Sequence, residues 1–237
     1  MAIQCPVCGN QFCSKHFDDW WNPDDFDWIN YSDKLVQQCS QHFDKWWNSK
    51  KFNWITSSWM LPVYCSRFFN KWWSPNLFHW VTGSWSLAQY CSQYFSDWWN
   101  ANLYNWTDGS MELAHFCYNY FNVWWNPEQF NWNASWALAK CCWRYFDIWW
   151  HSDKFNWESA SSELAQYCYM HFNKWWDSEL FNWQDASWAL AEFCSTHFDK
   201  WWNPEKFNVL HANYLVKYCG DYKEKWLDFK LYYDLKE

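Results

Sequence analysis

Between Ser84 and Trp99, Leu87, Ala88, Cys91, Tyr94, Phe95, Trp98 and Trp99 form an apolar series. Offsets of three and four place them on one stripe of a 3.6-residue helix. Gln93, Ser96 and Asp97 form the polar face. This pattern recurs along the chain. Cys13, Cys39, Cys65, Cys91, Cys117, Cys142, Cys168, Cys194 and Cys219 are spaced by 26 or 25 residues. A Trp-Trp pair follows seven residues after each of the first eight, from Trp20-Trp21 to Trp201-Trp202. Leu stands four residues before every cysteine of the column after the first, from Leu35 to Leu215. A fixed period of this kind predicts a stacked repeat architecture.

Within one unit, Ser84 reads as a helix N-cap, with Ser in the same place in most other units. The helix is expected to run about 15 residues, to the Trp-Trp pair. Asn203-Pro204-Glu205 and its relatives then read as the start of a second, short helix. That helix carries Phe-Asn-Trp near its end, and a loop of two or three residues leads to the next Ser. One-residue deletions before Ser135 and before Ala212 are expected to fall in that loop. The predicted fold is all-α: a right-handed-type α-solenoid of long-helix/short-helix repeats, about 26 residues each, with eight full units and a capping helix. Residues 1–12 read as a knuckle-like cap, 13–220 as the array and 221–237 as a charged C-terminal cap.

Composition narrows the function. Apolar residues make up 50% of the chain and aromatics 27%, with only four glycines and six prolines, which argues against a turn-rich β fold. No apolar run reaches the ~18 residues of a membrane span. The N-terminus has no basic and apolar leader, so no signal peptide is expected. A net charge of −8 disfavours nucleic acid as a partner. Twelve cysteines without a leader suggest reduced thiols in a cytoplasmic or otherwise reducing compartment.

The cysteine column reads either as buried packing or as a thiol ladder for copper or zinc. Spacing favours packing, because neighbouring helices lie about 8–10 Å apart. Cys39/His42, Cys168/His171 and Cys194/His197 share a helix face. Other units hold Phe68, Tyr94, Tyr120 or Tyr145 in the histidine's place, so these rings are expected at the edge of the core.

The N-terminus differs. Cys5, Cys8, Cys13 and His16 supply four ligands of the kinds tetrahedral zinc takes. The run from Cys5 to His16, CPVCGNQFCSKH, resembles part of an AN1-type zinc finger. That resemblance covers 12 residues and lacks the family's other ligands, so it implies a single zinc, structural and not catalytic. The array as a whole resembles α-solenoids that pair a long helix with a short one, and its aromatic-heavy style is similar to repeat proteins of large DNA viruses.

Asn of Phe-Asn-Trp reads as a bracket between units, its amide able to donate and accept. Central units depart from the pattern on the helix surface. Where others have Ser they carry Tyr118, Trp143 and Tyr169; where others have Asp or Lys they carry Val123 and Ile148. With Met170 these make a candidate partner-binding patch. No phosphate loop, nucleophile elbow or apolar carboxylate pair is present. The expected function is a non-enzymatic protein-protein interaction scaffold. Soft-metal storage on the column thiols, and single-stranded nucleic-acid or glycan binding on exposed aromatics, are the alternatives.

Overall fold

The structure is a computed structural model; it describes residues 4–234, and side chains as far as 229. It is all-α among the described residues, apart from one isolated bridge between Gln4 and Gln11. The chain divides into two compact units, Met1–Tyr120 and Phe121–Glu237. In the first, Trp28–Cys39, Met60–Cys65, Trp80–Tyr90 and Trp106–Phe116 pack one on the next in chain order. In the second, Ser135–Cys141, Trp157–Tyr167, Trp183–Phe193 and Ala212–Tyr218 do the same, and Lys223–Asp234 packs on the last. Each unit is thus a stack of helical repeats. The expected C-terminal cap is helical through Asp234, with Trp226 and Phe229 buried; residues 235–237 lie outside the described part.

The element boundaries differ from the expectation at three points. First, the long helix starts at the Trp of Phe-Asn-Trp, and the preceding Asn is its N-cap. Asn182 accepts from the Asp185 amide and Asn53 from that of Thr56. The repeated Ser lies inside the helix, buried. Ser84 Oγ donates to the Trp80 carbonyl at 2.6 Å and accepts the Asn105 amide of the next repeat at 2.9 Å. Ser and Asn both suit an N-cap; here the Asn caps and the Ser is buried against the next repeat.

Second, the long helix ends at the column cysteine. Cys91 has φ −126 and ψ 24, and Ser92–Tyr94 and Phe95–Trp98 continue as a 3-10 turn and a single α turn. The cause is the first Trp of the pair. Its buried indole N–H needs an acceptor and takes the cysteine carbonyl: Trp46 to Cys39, Trp98 to Cys91 and Trp175 to Cys168, each at 2.8 Å.

Third, the segment after the Trp pair is a turn and not a helix. The side chains of Asn126 and Asn203 accept amides two residues on, and the amides three and four residues on share the same Asn carbonyl, closing the loop without propagating. The two deletions therefore fall in the first turn of the long helix, not in a loop. There they tighten it into 3-10 turns at Trp132–Ala134 and Val209–His211. Ser135 still donates to the Trp132 carbonyl, now three residues back.

Pro62 breaks the corresponding helix of its repeat into Trp54–Ser57 and Met60–Cys65, because proline lacks an amide and crowds the carbonyl four residues before it.

Aromatic rings join successive repeats. Tyr94 stacks on Phe69 of the repeat before, centroids 4.4 Å apart, and Phe69 stacks on Trp73 of its own repeat. His42, His171 and His197 occupy the same slot on Phe17, Phe146 and Phe172. Each such pair contributes about 0.5–1.5 kcal/mol beyond area burial.

Candidate metal centre and exposed apolar patch

The first repeat lacks a leading long helix and has a knuckle in its place. The Cys5 amide donates to the Asn10 carbonyl and the Gly9 amide to the Cys5 carbonyl, both at 2.9 Å. Gly9 takes φ +73, which glycine adopts at no steric cost. Cys13 then leads into the turn Ser14–His16. The Sγ atoms of Cys5 and Cys13 each lie 3.6 Å from His16 Nδ1. All four ligand atoms of Cys5, Cys8, Cys13 and His16 lie within 4.8 Å of one another. A tetrahedral ion bonded at about 2.3 Å to sulfur and about 2.1 Å to nitrogen separates such atoms by roughly 3.6 Å. The cluster can therefore hold a metal ion. The backbone amide of His16, aimed at Cys13, holds that thiol below its usual range, favouring the ligating thiolate.

The column thiols are built differently. From Cys39 to Cys219 they are buried, and all twelve cysteines of the chain are free thiols. The Cys117 thiol donates to the Ala88 carbonyl, Cys168 to Ala139 and Cys194 to Ala165, each at 3.6 Å. These carbonyls lie in the last turn of the preceding long helix, where the break leaves acceptors without a helical donor. Burial pushes the Cys91 and Cys117 thiols up to about 12, so they stay protonated at neutral pH. The three Cys/His pairs join no convergent cluster among the described residues; His42 Nε2 lies 2.8 Å from the Ser14 carbonyl. The Asn bracket is present: Nδ2 of Asn105 and of Asn182 donates to Val81 and Glu158 of the previous repeat at 2.7 Å.

On the second unit Val123, Trp143, Ile148, Tyr169 and Met170 are exposed, from 36% for Trp143 to 72% for Met170. Tyr118, exposed too, belongs to the first unit. In each unit ion pairs link some successive repeats: Lys71 to Asp44 and Lys174 to Asp147 at 2.5 Å, and Lys225 to Asp199. The pair is absent at Ile148, where the residue opposite in register is Asn122, as it is at Asp97 opposite Asn70 and at Lys200, which meets Asn173. Arg144 lies 5.2 Å over the Trp143 ring.

A second apolar strip escaped the sequence reading. Ile29, Ile55 and Val81 follow the Phe-Asn-Trp motif or its variants in three consecutive repeats, and are 65–77% exposed. Trp59 and Trp85 pair beside them, 5.9 Å apart. The column is visible in the sequence, and the loop expected after Phe-Asn-Trp hides it, because these residues form the first turn of the long helix.

Among the described residues no helix is long and apolar enough to cross a membrane. No protein-family profile matches the chain, and no curated protein and no solved structure does either.

Proposed function

We propose that the chain is a non-enzymatic protein-interaction scaffold: a helical-repeat array pinned at its N-terminal end by one structural zinc ion. The partner sits on Val123, Trp143, Ile148, Tyr169 and Met170 of the second unit. The observation that carries this reading is the cluster of exposed apolar side chains in the second unit, at positions where other repeats carry Ser, Asp or Lys; exposed Trp and Tyr are favoured anchors at interfaces. Arg144, held over Trp143, calls for a carboxylate on the partner.

Zinc is the metal the donor set suits best. Three thiolates and an imidazole are a structural zinc set, and four protein ligands leave no open position for catalysis. The free thiols fit a reducing compartment. The column thiols, buried and bonded to carbonyls, are poor candidates for metal storage.

The test is capture and identification of the bound protein with the full chain as bait. Loss of that protein with Trp143→Ser and Tyr169→Ser, at unchanged helical circular dichroism, supports the assignment. Undiminished binding by both variants overturns it.

A further inference from the structure

We infer that the metal centre works as a plug: ligation by Cys5, Cys8, Cys13 and His16 holds Phe12 in the open end of the core, and metal loss uncovers Cys39. This rests on the zinc reading above.

The argument begins with what Cys39 touches. In later repeats the column thiol donates to a carbonyl in the preceding long helix: Cys117 to Ala88, Cys168 to Ala139, Cys194 to Ala165 and, at 3.5 Å, Cys219 to Ala191. The first repeat has no preceding long helix, and the Cys39 thiol donates instead to the Phe12 carbonyl at 3.5 Å. The knuckle thus supplies the acceptor that a helix supplies elsewhere.

It also fills the space. Every later column cysteine has a buried leucine four residues before it, but Cys13 has Gly9. Phe12 is buried in this end of the core, 2% exposed, edge-on to Trp20 and Phe26 and 5.2 Å from Tyr31.

Phe12 does this in an unfavourable conformation. Its φ is +50, in the left-handed region that ordinary side chains avoid. The residue lies between ligands Cys8 and Cys13, whose positions a bound ion fixes. Beyond Phe12 and Cys5 the loop buries no apolar side chain, and its backbone is tied internally by the two knuckle bonds and the Gln4–Gln11 bridge. Ion binding therefore stabilises a backbone the loop does not hold alone. By reciprocity, freeing the ion frees Phe12 and opens the path to the Cys39 thiol.

The test is alkylation of the full-length chain by iodoacetamide under native conditions, with labelled sites mapped by mass spectrometry and zinc measured by elemental analysis. Stripping with a chelator is expected to raise labelling of Cys39 at least tenfold, to leave Cys168 and Cys194 silent, and to reverse on adding zinc. Phe12→Ala is expected to keep zinc yet label Cys39 at the stripped rate. A chain that holds zinc and keeps Cys39 as silent as Cys168 after stripping overturns the plug alone. Labelling of Cys168 and Cys194 together with Cys39 also overturns it, since the opening is then global. A chain that takes up no zinc overturns the metal reading, and the plug with it.

Discussion

The hydroxyl of Ser161 donates to the Trp157 carbonyl at 2.5 Å and accepts the backbone amide of Asn182, one repeat later, at 3.1 Å. One small side chain thereby fastens the first turn of its own helix to the start of the next. Ser161→Ala removes both bonds and strands a part-buried amide, so it is expected to cost about 1–3 kcal/mol. The shift of the urea midpoint measures this. A loss under 0.5 kcal/mol would mean the serine is incidental.

The cysteine column predicts alkaline instability. Burial raises the Cys39, Cys65, Cys91, Cys117 and Cys219 thiols to about 12, and raises Cys142, Cys168 and Cys194 as well. A thiol whose folded pKa is raised holds its proton in the folded state after the unfolded chain has lost it. Its stabilising share is complete below about pH 9 and is lost as pH rises toward the folded value. Each thiol contributes a slope of up to about 1.4 kcal/mol per pH unit. The melting temperature should fall steeply above pH 9 and stay flat between pH 7 and 8.5. A flat profile to pH 10.5 would refute the buried column.

Glu112 is buried in the helix Trp106–Phe116, and its Oε2 has no hydrogen-bond partner. Burial raises its pKa, so the folded state disfavours the charge, and stability is lost as pH rises through that value. Glu112→Gln is expected to gain on the order of 1 kcal/mol at pH 7 and much less at pH 4. Thermal melts at the two pH values decide it; an equal effect at both would remove the electrostatic cause.

Building the ion pair at Ile148 tests the patch from the opposite side. Asn122→Asp with Ile148→Lys rebuilds the pair that Asp147 and Lys174 make in the next repeat. An exposed pair of this kind changes stability by about 0–1 kcal/mol. The double variant should therefore melt like the parent while losing the partner captured by the parent chain. Retained binding would place the interface elsewhere.

Much of the architecture was legible in the chain because its cause is periodic. The column cysteine, the first Trp of the pair and the leucine recur at one spacing, and only a stack of equivalent helices buries all three together. The cluster of Cys5, Cys8, Cys13 and His16 was legible because metal chemistry restricts residue type and local spacing.

What tertiary structure decided were the choices that local chemistry leaves degenerate. Ser84 and Asn105 both suit an N-cap; which one caps and which is buried depends on the helix next door. A continuous apolar stripe from Leu87 to Trp98 gives no sign of a break at Cys91, because the break comes from an indole N–H that finds the Cys91 carbonyl only once the ring is packed. That the Cys39 thiol finds the Phe12 carbonyl follows from there being no long helix before that repeat among the described residues, and an absence has no periodicity to read. Period and residue type are properties of the chain; caps and breaks are settled by which unsatisfied group lies within reach after the repeats have stacked.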